Sequence, residues 1–156
     1  MMYHRVRFLA VPLLALLCLA TTPEARANGL SVDGVWARPT YGTAKVSAAY
    51  FEITNKGSRI VQLVSIESPA AANAELHTLV MDGDIARMRQ VDSIDIAKGE
   101  AVTFQPGGLH VMLMGVKESL IVGNSIDLTL NFAHRPPMSI TAVIAVKPPT
   151  RARGSF

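Results

Sequence analysis

The chain has 156 residues, with 15 Lys and Arg against 12 Asp and Glu and a formal net charge of +3 at pH 7. Removal of residues 1–27 would leave 12 basic against 11 acidic residues, a net charge of +1. Residues 28–156 contain no Lys/Arg cluster, so we expect neither nucleic acid nor an anionic membrane as a partner. The single cysteine is Cys18, so residues 28–156 offer no thiol for a disulfide, a thiolate metal site or a nucleophile.

Residues 1–27 have the parts of a secretory signal peptide. Two arginines precede the apolar run 8–20, and the segment ends in Ala-Arg-Ala, a small-x-small cleavage pattern. The run is too short to stay as a membrane anchor. Leu17 precedes Cys18, at a position where a lipoprotein signal has a small residue. We therefore expect export, cleavage after Ala27 and no membrane-spanning segment in the mature chain.

Short runs rich in Val, Ile, Thr, Tyr and Phe alternate with turn-forming residues along 28–147, and no stretch keeps its apolar residues at helical spacing. This pattern predicts one all-β domain, an Ig-like Greek-key β-sandwich, followed by a flexible tail over 148–156. The predicted strands cover 32–37, 47–54, 60–68, 74–81, 84–91, 101–104, 110–116, 125–132 and 139–146.

A hairpin is predicted around Asp82-Gly83, because this dipeptide between two strand-like runs is typical of a two-residue type I′ turn. In that register His77 lies directly opposite Met88, with Cβ atoms about 4.5 to 5.5 Å apart. A longer loop would shift the register by one or two residues, and a shift of one would move Met88 to the other face. The turn therefore predicts an imidazole beside a thioether.

The segment from Gly107 to Gly115 has two different faces if it forms a strand. One face is ordinary core and consists of Leu109, Val111 and Leu113. The other carries His110, Met112 and Met114. Imidazole and thioether are soft, neutral ligands that suit Cu(I). The alternative is that both faces are buried and that Met fills gaps in the core, as it often does.

Methionine is concentrated in one part of the chain. Four of the five Met residues that follow residue 27 lie between Met81 and Met114, and two of the three His residues are near them: His110 lies inside this segment and His77 lies four residues before it. Core filling would scatter Met more widely. A sandwich can bring a hairpin and a neighbouring strand together, so a four-ligand site is geometrically reasonable. We expect it at one end of the sandwich, partly open to solvent, and we expect His134 to be only a loop residue.

The complete spacing is His77, ten residues, Met88, twenty-one residues, and then His110-Val111-Met112. It resembles the H-x10-M-x21-H-x-M signature of the PCuAC family of periplasmic copper chaperones, and nearly all of the mature chain is similar to that family. The resemblance implies a cupredoxin-like β-sandwich that binds one Cu(I) per chain through His77, Met88, His110 and Met112. Some members carry a His/Met-rich tail, but no His or Met follows Lys147, so we expect no second copper site.

The resemblance further implies a function in the periplasm. It would be a Cu(I) carrier, expected to be a monomer, that hands copper to an acceptor in cytochrome oxidase assembly. The acceptor would be the subunit that holds the oxidase copper centre or a thiol-bearing SCO-type assembly factor. Four neutral ligands leave Cu(I) with a single positive charge, whereas Cu(II) would add a charge that none of the ligands neutralises.

Two other functions are weighed against copper transport. One is an exported Ig-like interaction module in which the His and Met residues are merely packed and bind no metal. The other is a copper-dependent redox enzyme, which four protein ligands would close against substrate. The chain has neither a nucleophile elbow nor an H-E-x-x-H zinc motif. We therefore expect that the protein is not an enzyme.

Overall fold

Ten β-strands and no helix form over residues 29–149, the part of the chain described by this computed structural model. The predicted signal peptide, 1–27, and residues 150–156 of the predicted tail lie outside the described residues. The all-β prediction is confirmed. The strands are β1 (Leu30–Ala37), β2 (Val46–Asn55), β3 (Val61–Glu67), β4 (Asn73–Asp82), β5 (Ile85–Gln90), β6 (Ile94–Ile96), β7 (Ala101–Phe104), β8 (His110–Met114), β9 (Ser125–Phe132) and β10 (Arg135–Ile144).

All nine predicted strands are present; β7 and β9 have the predicted bounds, and the ends of the others differ for local reasons. Strand β6 was not predicted because its three residues are too few to show an alternating pattern. Strand β10 begins four residues earlier than predicted, since Pro136 and Pro137 fall where its register with β9 is irregular, a position that tolerates proline. Strand β8 ends at Met114 because Gly115 has a φ of +63° and lies against Ala72.

The strands form one mixed sheet in the order β5-β4-β8-β2-β1-β10-β9-β3-β6, with β7 paired to β2. Only β1 and β10 run parallel among the pairings of the described strands. Strand β2 changes partner along its length: residues 46–49 pair with β8 and residues 51–54 with β7. This change of partner lets the sheet fold over one core, as the predicted sandwich requires.

The core follows the two-residue alternation of the strands. In β8, Val111 and Leu113 are fully buried, and in β9 the same holds for Leu128 and Leu130. Phe51 stacks on Phe104, with ring centroids 4.3 Å apart. These two rings and apolar residues from most other strands form one continuous apolar cluster. Since core residues alternate with others, each strand also presents a second face away from the core.

The predicted register of the β4–β5 hairpin is wrong by two residues. Leu79, and not His77, lies opposite Met88, and Asp82 pairs with Ile85. The loop is Gly83-Asp84, and Gly83 has a φ of +61°. Asp84 does not have a positive φ, because His134 is the sole non-glycine residue with positive φ among residues 29–149. A type I′ turn needs positive φ at both central residues, whereas glycine at the first central position is typical of type II′. A shift of two keeps Met88 on the same face as His77.

Candidate metal centre

The two predicted histidine ligands meet because β4 and β8 are neighbours in the sheet. His77 lies directly opposite His110 in this antiparallel pair. The centroids of the two imidazole rings are 5.9 Å apart, and the ring planes are inclined by 48°. The sequence predicted each histidine beside a methionine but did not predict that the histidines pair with each other.

The candidate ligands share the sheet face that points away from the core, here called the outer face. Val111 and Leu76 oppose each other and are buried in the core cluster. Because side chains alternate, the neighbouring residues His110 and His77 lie on the outer face, and Met112 follows two residues along β8. His77 and Met112 stand in the middle of their strands. His110 is the first residue of β8, and the expected location at one end of the sandwich stays a prediction.

A cavity of about 460 Å³ opens on the outer face. Three of the four predicted ligands line it: Met88, His110 and Met112. Residues 38–41 from the β1–β2 connection form part of its wall. Ala48 of β2 lies opposite Met112 and also lines the cavity, and its single methyl group leaves room beside the thioether. His77 does not line the cavity and reaches this site through its cross-strand neighbour His110.

The four side chains differ widely in exposure. His110 is 6% exposed and the His77 side chain 16%, whereas Met88 is 58% exposed. Met88 lies on β5, an edge strand in which every residue is exposed and which pairs with β4 alone among the strands of residues 29–149. The histidines are thus anchored by the sheet, while one thioether remains open to solvent.

Both imidazoles use one nitrogen in a local hydrogen bond. His110 Nδ1 lies 2.9 Å from the carbonyl oxygen of Gly108, and a carbonyl can only accept, so Nδ1 donates and Nε2 keeps its lone pair. His77 Nε2 lies 3.0 Å from Glu75 Oε2. His77 Nδ1 is buried and has no hydrogen-bond partner within the described part of the chain. Such an unpartnered buried nitrogen is costly unless it binds something, which fits a metal ligand.

The donor set selects the kind of ion. No three His, Cys, Asp or Glu side chains within 29–149 cluster in a way that could hold a metal ion. A site here therefore depends on thioether sulfur as well as imidazole, and this combination suits a soft ion such as Cu(I).

Sequence reasoning missed Glu75, a carboxylate that contacts the candidate ligand His77. Glu75 lies opposite Met112 in the β4–β8 pair and hydrogen-bonds to His77 on the same strand. The Glu-x-His spacing could have indicated it, because residues two apart in a strand share a face.

The other His and Met residues of this region stand apart from the cavity. Met114 is opposite Val46, two pairs along from the pair of Met112 with Ala48. Met81 is 61% exposed near the tip of the hairpin. His134 is an exposed residue in the turn between β9 and β10, as expected. None of the three lines the 460 Å³ cavity.

The chain is similar in sequence to proteins described as lipoproteins. The family model described as putative lipoprotein LpqE-like matches residues 30–144. The chain is 33% identical over 115 residues to the putative lipoprotein Lxx21020 of Leifsonia xyli subsp. xyli, which covers 73% of this chain and 68% of that protein. It is 32% identical over 114 residues to the uncharacterized protein RP573 of Rickettsia prowazekii, which covers 70% of this chain and 63% of that one. None of the described residues forms a helix long and apolar enough to cross a membrane.

Solved structures resemble the fold. The copper-bound PCuAC domain from PmoF2 matches with a TM-score of 0.66 at 21% identity, over 77% of this chain and 95% of that domain. Apo-DR1885 from Deinococcus radiodurans matches with a TM-score of 0.61 at 28% identity, over 92% of this chain and 93% of that one. Its Cu(I) form matches with a TM-score of 0.58 at 30% identity, over 76% and 78%. The predicted cupredoxin-like β-sandwich is thus confirmed as a PCuAC-like fold, and by its match over residues 30–144 the chain belongs to the LpqE-like family.

Proposed function

We propose that this protein is a copper chaperone that binds one Cu(I) through His77, Met88, His110 and Met112. The observation that carries the proposal is the gathering of two imidazoles and two thioethers on one outer face, beside a cavity. The Cu(I) form of DR1885, at 30% identity, supports the same metal. The rival function, an interaction module with packed His and Met, does not account for an unpartnered buried nitrogen on His77.

The spacing of the two histidines is compatible with one shared ion. A metal holds an imidazole nitrogen at about 2.0 to 2.1 Å, so two nitrogens on one ion are no more than about 4 Å apart. Each donor nitrogen lies on the rim of its ring, and the centroids of His77 and His110 are 5.9 Å apart. Met88 and Met112 would supply sulfur from the cavity side.

The exposure of Met88 indicates how the ion would leave. A carrier must give up its cargo, and the ligand most open to an incoming donor is the thioether on the edge strand, 58% exposed. A thiolate from an acceptor could replace Met88 first, while the anchored histidines still hold the ion. Thiolate is a soft ligand and a stronger one than thioether for Cu(I), so transfer to a thiol-bearing acceptor would be favourable.

The proposal includes a compartment and an acceptor. The signal-like residues 1–27, together with relatives named as lipoproteins, support export to the periplasm. The acceptor we propose is the copper-centre subunit of cytochrome oxidase or an SCO-type thiol assembly factor. The protein would act as a monomeric carrier and not as an enzyme.

The direct test is anaerobic titration of residues 28–156 with Cu(I), read by X-ray absorption. We expect one copper per chain, with both sulfur and imidazole scattering, and much weaker binding of Cu(II). Met81→Ala is a matched control for Met88→Ala, since both thioethers are exposed on the same hairpin but only Met88 lines the cavity. A copper spectrum without sulfur, or equal affinities for the two oxidation states, would contradict the proposal.

A further inference from the structure

Glu75 is the carboxylate that touches the candidate centre. Its Oε2 lies 3.0 Å from Nε2 of His77, and the two side chains are 30% and 16% exposed. Both belong to β4, two residues apart, and Glu75 also opposes Met112 across the β4–β8 pair. The carboxylate thus stands on the outer face next to two of the four proposed ligands.

This contact decides which nitrogen of His77 is free. An ionised carboxylate only accepts hydrogen bonds, so the Nε2 of neutral His77 must carry the hydrogen and donate it. The lone pair then lies on Nδ1, the atom that is buried and without a partner among residues 29–149. His110 is held in the opposite way, with Nδ1 donating to the carbonyl of Gly108 and the lone pair on Nε2.

We propose that Glu75 is a positioning residue that makes His77 offer Nδ1 to copper, while the Gly108 carbonyl makes His110 offer Nε2. The inference rests on the proposed function and extends it to the donor atoms. Carboxylate–histidine–metal arrangements of this kind fix the ring orientation and raise the basicity of the imidazole. The negative charge of Glu75 also offsets the single positive charge of Cu(I) bound by four neutral ligands.

The first experiment needs no copper. Long-range nitrogen–hydrogen NMR correlations of the imidazoles identify which ring nitrogen carries the hydrogen. The spectra are recorded at about pH 8.5, because a typical imidazole, with a pKa of about 6.5, is neutral there. We expect the Nε2–H form for His77 and the Nδ1–H form for His110. In Glu75→Ala, His77 should become a mixture of tautomers while His110 stays unchanged. An Nδ1–H form of His77 in the unaltered protein, or no change in Glu75→Ala, would overturn the proposal.

The second experiment uses the Cu(I)-loaded protein. The shift of the metal-bound nitrogen should identify Nδ1 for His77 and Nε2 for His110. Loss of an outer hydrogen-bond partner typically lowers metal affinity 10- to 100-fold, and we expect a loss in this range for Glu75→Ala. Glu75→Gln keeps an acceptor oxygen and should retain the tautomer, with a smaller loss that reports the charge alone. Glu118→Gln removes the same charge from an exposed residue outside the cavity and should bind as the unaltered protein does.

The outcomes separate this inference from the proposed function. Binding of Cu(I) through Nε2 of His77, or unchanged affinity in both Glu75 variants, would overturn the role of Glu75 and leave the chaperone proposal standing. If no Cu(I) binds, the proposed function fails, and the apo spectra still decide whether Glu75 selects the tautomer. Because Glu75→Gln is nearly isosteric, it keeps the test decisive even if Glu75→Ala folds poorly.

Discussion

At the residue scale, exposure separates the methionines that could serve as ligands from those that serve as core. Met88 is 58% exposed and lines the cavity, whereas Met138 is 5% exposed and belongs to the core cluster. A thioether in solvent contributes little to folding, because little apolar surface is removed from water. The same residue type therefore has two roles in this chain.

This contrast predicts that replacing Met88 affects Cu(I) binding and that replacing Met138 affects stability. Met88→Ala should weaken Cu(I) binding and change the free energy of unfolding of the apo protein by no more than about 0.5 kcal/mol, as for other exposed sites. Met138→Ala should cost about 2 to 5 kcal/mol of stability and leave Cu(I) affinity unchanged. Urea unfolding and competition with a Cu(I) chelator measure the two effects. If Met88→Ala were the destabilising change and left copper binding intact, the packing explanation would replace the metal one.

At the element scale, the β4–β5 hairpin carries Met88, and its turn sets where Met88 lies. The pairing of Leu79 with Met88 depends on Gly83 occupying the first central position of the loop with a φ of +61°. No atom lies within 4 Å of the place a Cβ would take there. A side chain at Gly83 would therefore be opposed by the backbone conformation and not by a clash.

Gly83→Ala should accordingly weaken the hairpin by about 1 to 2 kcal/mol, the cost of a left-handed conformation for a residue with a Cβ. We expect faster amide hydrogen exchange in β5 and weaker Cu(I) binding, because Met88 loses its fixed position. Gly123→Ala is the matched control, since Gly123 also has positive φ and open space but lies outside the cavity lining. Equal copper affinity in the two variants would show that the hairpin does not position a ligand.

At the scale of the whole molecule, the sheet order assembles the candidate centre. Strands β5, β4, β8 and β2 are consecutive neighbours, and all the candidate ligands lie on the first three. The core beneath them is continuous with that of the other strands. Binding at the outer face should therefore stabilise the fold as a unit.

Copper should raise the stability of the entire domain. A ligand that binds only the folded state adds about 2.7 kcal/mol when its free concentration is 100 times its dissociation constant. We expect unfolding in chelator-buffered Cu(I) to show a gain approaching this value, and removal of copper to abolish it. Met88→Ala should show a much smaller gain at the same free Cu(I). A gain that is identical in the two proteins would place the bound copper elsewhere.

The sequence by itself determined the all-β class, most strand positions, and the residue types and spacing of the candidate ligands. It also placed His110 and Met112 on the face opposite Val111, because the two-residue alternation of a strand is a property of each chain segment alone. Only the tertiary structure decided that β4 lies beside β8, that His77 opposes His110, and that Glu75 contacts His77. The pairing of strands that are distant in sequence depends on how the whole sheet buries its core. A local sequence pattern does not specify that pairing. The hairpin register was likewise open, since Asp82-Gly83 and Gly83-Asp84 are both acceptable loops and the folded chain adopts the second.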